Sequence, residues 1–173
     1  PDPAETTEVS EDKCTYTMTL RQDAKWSNGE PVTANDFVFA YQTICNKETA
    51  SSYAFIVYDN LLNGNEVYDG TMDPSELGVK AIDDYTLEVT FENPIPYAEH
   101  LFSFASYYPM NQKAYEEIGA DVYGDEADKI VTNGAYTISE WTHNDHITLT
   151  ANPDFYDPDR CAAGSVKFTM MND

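Results

Sequence analysis

Basic side chains are scarce in this sequence: 9 Lys and Arg stand against 31 Asp and Glu in 173 residues, a formal net charge of −22. A surface of that sign repels nucleic acid and anionic lipid, so neither is expected as a partner. The excess reads first as a solvated, highly soluble surface and, more sharply, as an acidic groove for cations. No block of five or six like charges gathers it into a tail. Long apolar runs are missing too. None approaches the ~18 residues of a membrane span, so no part of this segment is expected to insert. No basic stretch followed by an apolar one opens the chain, so no signal peptide is read there. A start at Pro1 without Met reads as a piece of a longer protein.

Cysteine is sparse and odd in number: Cys14, Cys45 and Cys161, widely spaced and without a CxxC. That excludes the usual zinc and thioredoxin-type motifs. One disulfide with a spare thiol, or three reduced thiols packed as small hydrophobes, both fit. Catalytic motifs are absent as well: no GxSxG elbow, no P-loop, no GxGxxG and no HExxH. No catalytic residue, cofactor or metal is therefore assigned, and an enzyme is not expected. Three short polar patterns have simpler local explanations. Asp83-Asp84 sits where a hairpin turn is read, a place that favours Asp for local backbone bonding. His143 and His146 flank Asp145 but lie in a predicted turn without further ligands. Asp69-Gly-Thr-Met-Asp73 begins like a calcium loop, yet Pro74 and Lys80 stand where Gly and Glu are required.

What the chain does have is apolar and aromatic material: 42% hydrophobic residues, with 13 Tyr and 8 Phe. That is enough for one packed core at this length. Residues 1–13 are polar, with two prolines, and read as a loop. Thr15–Leu20 alternates as a half-buried strand does. Asn28-Gly29 signals a tight turn. Thr33 or Asn35 can cap a helix over 34–45, with Phe37, Val38, Tyr41 and Ile44 on one stripe. Residues 46–78 read as short helices and loops. Residues 79–82 and 86–91 read as a hairpin, stopped by Pro94 and Pro96. Tyr97–Phe104 reads as one or two helical turns, and 112–118 as a short helix closed by Gly119. Strands are expected at 134–141, 147–151 and 165–171. Without regular βα alternation the fold class is α+β, mostly antiparallel sheet with flanking short helices. The aromatic set Tyr53, Phe55, Tyr58, Phe102, Phe104, Tyr107 and Tyr108 fits either a core or a ligand wall.

Four blocks carry a resemblance. Leu20-Arg-Gln-Asp-Ala-Lys-Trp-Ser-Asn-Gly-Glu-Pro-Val-Thr-Ala-Asn-Asp-Phe-Val-Phe39 comes first. Leu77-Gly-Val-Lys-Ala-Ile-Asp-Asp-Tyr-Thr-Leu-Glu-Val-Thr-Phe91 and Pro94-Ile-Pro-Tyr97 follow. The fourth joins Ile130-Val-Thr-Asn-Gly-Ala-Tyr136, Trp141 and Asn152-Pro-Asp-Phe-Tyr156. In this order they resemble the peptide/nickel-type solute-binding proteins of ABC transporters, with wording nearest the oligopeptide binders. The resemblance implies a fragment of a class II periplasmic-binding-protein-like fold. Residues 1–14 would be a flexible start, 15–132 the smaller domain, and 133–173 the beginning of the adjoining lobe. It implies oligopeptides as ligand and an ABC permease and ATPase as partners. The implied location is extracytoplasmic, with the parent protein either free or lipid-anchored. Nickel, haem or an oligosaccharide would be alternative cargoes on the same fold, and an acidic interaction or sensory module an alternative of another class. Tyr53 resembles a peptide-contacting tyrosine of the oligopeptide binders. Phe104 stands where they can place a pocket-lining His, which implies a more apolar pocket or a different specificity, and Tyr107, nearby, is a third candidate peptide contact. Trp26, Asn28-Gly29, Asp36 and Gly134 match signature positions and read as structural.

Overall fold

The computed structural model describes residues 4–171 and divides into two compact units. One unit takes the chain up to Gln22 together with Thr33–Met110; the other takes Asp23–Val32 and the chain from Asn111 onward. The break read from the sequence lay after residue 132 instead. Local pairing accounts for the difference: Ser27 N–H donates to Thr132 O at 2.7 Å, and Thr132 N–H donates back to Ser27 Oγ at 3.2 Å. Residues 23–32 thereby belong with the segment around 132 and not with the strand that precedes them.

The first unit is built on a four-stranded antiparallel sheet in the order β1-β2-β4-β3. Its strands are β1 (Ala4–Val9), β2 (Thr15–Leu20), β3 (Val79–Asp83) and β4 (Thr86–Thr90). Alternation in β2 and β4 sends Tyr16, Met18, Leu20, Leu87 and Val89 to one buried face. Helix α1 (Ala34–Ile44) lays Phe37, Ala40 and Tyr41 into the core. Thr33 is its N-cap, and the Asp36 carboxylate accepts from Thr33 N–H at 2.8 Å. The 83–86 turn is held by Asp83, whose carboxylate accepts from Tyr85 N–H at 2.8 Å and Thr86 Oγ1 at 3.0 Å. Asp83 thus serves the turn, as its position in the sequence suggested.

Strand β1 corrects the reading of residues 1–13 as a loop over Ala4–Val9; residues 1–3 lie outside the described residues. It is an edge strand whose side chains are nearly all exposed. Backbone hydrogen bonds to β2, from Ala4 opposite Leu20 to Val9 opposite Tyr16, hold it without any apolar face of its own. Alternating hydrophobicity cannot reveal such a strand.

Between the strands the chain runs through short helical turns: α2 (Phe55–Tyr58), α3 (Gly64–Tyr68) and α4 (Ala98–Leu101). A 3-10 turn follows at Ala105–Tyr107. An aromatic relay fastens these turns to the sheet. Phe102 lies 5.6 Å from Tyr16, 5.7 Å from Phe91 and 5.8 Å from Tyr107, ring centre to ring centre. Tyr107 in turn meets Tyr41 edge-on at 5.3 Å. Edge-to-face pairs of this kind add to the stabilisation from area burial alone.

The second unit carries a three-stranded antiparallel sheet, β5 (Tyr136–Thr142), β6 (His146–Ala151) and β7 (Ser165–Thr169), in that order. Helix α5 (Gln112–Ile118) starts at Asn111, whose Oδ1 accepts from Ala114 N–H at 2.7 Å, and ends at Gly119 with φ +97°. Buried Asn152 donates to Gly134 O at 2.8 Å and accepts from Asp154 N–H at 3.1 Å. It joins the two halves of the fourth sequence block. Cys14, Cys45 and Cys161 are all free thiols.

The tight turn at Asn28-Gly29 forms, with Gly29 at φ +86°, and Glu30 beside it gathers three side-chain donors. It accepts from Lys113 Nζ at 2.6 Å and from Asn111 and Asn28 side-chain amides at 3.0 Å each. Those donors, Lys113 first, pull its pKa down to about 2. A carboxylate depressed in the fold stabilises it above the ordinary value near 4.5, and that contribution fades as pH falls through the folded value. Glu30→Gln is therefore expected to lower stability at pH 7 by about 1–2 kcal/mol, the scale of charge-assisted hydrogen bonds at a partly exposed site. The gap to wild type should narrow steadily below pH 4.5 in chemical denaturation. An unchanged gap at pH 3 would contradict the assignment.

Candidate functional site

The 46–108 stretch decides which of its seven candidate rings face inward. Helix α2 buries Val57 and turns Phe55 outward. Ala54, just before it, is buried and receives the chain from a turn in which Tyr53 N–H donates to Ser51 Oγ at 3.4 Å. That turn leaves Tyr53 58% exposed, with Phe55 at 47%. On the segment after α4, Phe102 is buried while Phe104, two residues on, is 45% exposed. The outward rings converge: the Tyr53 centre lies 6.4 Å from Phe55 and 6.4 Å from Phe104. Three rings thus form one exposed aromatic surface on the first unit, with Tyr53 in the middle. Sequence reasoning named Tyr53 and Phe104 each as a ligand-contact candidate, without placing them side by side. It grouped Phe55 among the aromatics without giving it a role.

Tyr107 stands apart from these two. It is fully buried, and its hydroxyl donates to Ile56 O of α2 at 3.0 Å. Burial pushes that hydroxyl's pKa well above the ordinary value, so it remains a donor. Its carbonyl accepts from the Tyr41 hydroxyl at 3.1 Å. Tyr107 offers no surface to a ligand in this arrangement; it is a positioning residue that holds α2, and with it Phe55, in place. Of the remaining candidates, Tyr58 stacks on Tyr68 at 4.2 Å. Tyr108 is exposed, its hydroxyl donating to Ser103 O at 3.0 Å.

The polar constellations noted in the sequence have local partners. His143 Nε2 lies 3.2 Å from Glu126 and its ring stacks on Trp141 at 4.8 Å. His146 sits between Glu140 at 3.0 Å and Asp145 at 2.7 Å, which together raise its pKa, Glu140 most. Asp73 caps a 3-10 turn through Ser75 N–H at 2.9 Å. Among the described residues no group of three His, Cys, Asp or Glu is arranged to hold a metal ion. No helix there is long and apolar enough to cross a membrane.

Comparison with known proteins places the chain. The family described as bacterial extracellular solute-binding proteins, family 5, matches residues 1–173 in its middle region. The chain belongs to that family. The periplasmic oligopeptide-binding protein OppA of Salmonella typhimurium is 39% identical over 158 residues, 91% of this chain and 29% of the relative. The dipeptide-binding protein DppE of Bacillus subtilis is 38% identical across 100% of this chain and 32% of its own length. Among solved structures, the substrate-binding domain of an oligopeptide ABC transporter from Bacillus anthracis superposes with a TM-score of 0.95 at 43% identity, covering 99% of this chain and 33% of that one. Haemophilus influenzae OppA in complex with RPPGFSPFR gives 0.92 at 39% identity, covering 98% and 33%. The chain spans about a third of the length of the relatives it matches. The chain's fold is α+β with antiparallel sheets and short helices, and the family it belongs to is one of solute-binding proteins.

Proposed function

We propose that the chain forms part of an oligopeptide-binding protein, which captures peptides outside the cytoplasm and hands them to an ABC permease and its ATPase. The observation that carries this reading is the exposed pair Tyr53 and Phe104, 6.4 Å apart, in a chain of the solute-binding family. Exposed rings grouped on a soluble protein mark a contact surface. A tyrosine adds a hydroxyl that can meet a peptide backbone, while the rings supply apolar area to peptide side chains. The peptide and dipeptide binders among the relatives support the cargo. Strong acidity suits a protein working in an aqueous compartment beyond the membrane, whether free or anchored there. In this reading the first unit, the chain up to Gln22 together with Thr33–Met110, corresponds to the smaller domain of the binding protein.

The test is calorimetric titration of the full-length protein with tri- to pentapeptides of mixed sequence. Dissociation constants of about 1 μM or tighter are expected, roughly −8 kcal/mol. Binding of an oligosaccharide, haem or a nickel chelate with no response to peptides would replace the cargo.

A further inference from the structure

At the turn end of the β5–β6 hairpin, in the second unit, a buried histidine stands between two carboxylates. His146 opens β6, opposite Thr142 of β5 on one side and Thr169 of β7 on the other. Its side chain is 10% exposed, whereas both carboxylates beside it are more than half exposed. Nδ1 lies 2.7 Å from Asp145 Oδ2, in the turn. Nε2 lies 3.0 Å from Glu140 Oε2 of β5, at ion-pair distance but without hydrogen-bond alignment, and has no other partner among the described residues. A neutral imidazole carries one N–H and one lone pair. Whichever nitrogen kept the proton, the other would turn its lone pair on a carboxylate oxygen. Only the imidazolium, a donor at both nitrogens, suits both neighbours. Lys167 of β7, across Thr148 from Glu140, opposes protonation more weakly. Glu140 first and Asp145 second outweigh it and raise the His146 pKa above the ordinary 6.5. His143, in the same turn, faces Glu126 instead.

We propose that His146 is a pH-sensitive clasp: its imidazolium holds Glu140 of β5 to the β5–β6 turn, and loss of the ring proton loosens that end of the sheet. The turn also reaches the third strand. Asp145 meets the ring with its carboxylate, and its carbonyl accepts from the N–H of Met170, the residue after β7, at 2.7 Å. The direction follows from linkage. A histidine whose pKa is raised in the fold stabilises it below 6.5, and that contribution goes as pH rises through the folded value. Glu140 is depressed, by His146 first, so its share is present above 4.5 and fades as pH falls through its folded value. The clasp is therefore complete between pH 4.5 and 6.5 and opens on the alkaline side through His146. Exposure of both carboxylates keeps the effect small. It loosens one hairpin and does not unfold the chain. None of this depends on which cargo the protein carries.

The experiment uses the full-length protein, isotope-labelled at its histidine rings. The NMR signal that disappears in His146→Gln belongs to His146, and it should titrate above pH 6.5. In Glu140→Gln the same signal should titrate at lower pH, because the larger attraction is gone. That shift also identifies the signal should His146→Gln fail to fold. Hydrogen exchange is followed in parallel over residues 136–151, as protection relative to the intrinsic rate at each pH. Protection there should fall about threefold between about pH 6 and pH 8 in wild type, the scale of a partly exposed ion pair. It should stay level in His146→Gln and still fall in His143→Gln. The proposal is overturned if His146 titrates at or below 6.5, or if no histidine signal moves in Glu140→Gln. It is equally overturned if wild-type protection is the same at both pH values, if the fall persists in His146→Gln, or if it vanishes in His143→Gln.

Discussion

Tyr53→Ala in the full-length protein is expected to weaken peptide binding about tenfold or more, with little change in the unfolding midpoint. Tyr53 is the central ring of the exposed aromatic surface, within 6.4 Å of both flanking rings. More than half of its surface is open to solvent, so its removal leaves no cavity in the core. Truncation would delete both its apolar area and its hydroxyl, and a tenfold loss corresponds to about 1.4 kcal/mol. Tyr53→Phe separates the two contributions. A loss confined to the alanine variant assigns the role to the ring, and a loss shared by both assigns it to the hydroxyl. Calorimetry and thermal unfolding on the same preparations measure both sides. Unchanged affinity in both variants would remove Tyr53 from the site.

Phe102→Ala should have the opposite profile: a loss of about 3–4 kcal/mol in folding stability, measured by urea denaturation of the 173-residue chain. Phe102 is almost fully buried and touches three rings from three different parts of the first unit: Tyr16 of β2, Phe91 just past β4, and Tyr107 of the 3-10 turn. Deleting it opens a hole that stiff neighbouring rings cannot collapse to fill, and the cost of a large-to-small change rises with the cavity left. It also loosens the segment that presents Phe104 two residues later. A loss below about 1 kcal/mol would mean that the aromatic relay is not the fastening it is described as. Phe102 and Phe104 thus separate scaffold from contact surface across two positions of the same short segment.

That separation was not legible in the sequence, and the reason is physical. In β2 and β4, period-two alternation sorts inward from outward side chains, and both strands formed where alternation put them. In α1 a 3.6-residue stripe does the same, over Ala34–Ile44. The run Phe102-Ser-Phe-Ala-Ser-Tyr-Tyr108 follows neither period. Its chain passes from α4 through a 3-10 turn, so which ring points inward depends on backbone geometry that no simple repeat encodes. Hence Tyr107 read as a peptide-contact candidate but is buried beneath α2, its hydroxyl on Ile56 O, while Phe55 stood outward with no role assigned. The one available signal for Phe55 was its spacing of two from Val57, which on a single helical turn puts the two side chains on different faces. Strand β1 escaped for a different reason: its polar side chains carry no pattern, and its stability comes from backbone pairing with β2. The tight turn at Asn28-Gly29 and the Gly119 helix stop were readable because each depends on one residue's freedom at positive φ.

The central claim, peptide capture, is tested most directly by the ligand that the full-length protein carries when purified. Denaturing it and analysing the released small molecules by mass spectrometry should give a heterogeneous ladder of short peptides. A single defined species in stoichiometric amount, such as a sugar, a haem or a metal chelate, would contradict peptide capture and leave the solute-binding fold with a different cargo.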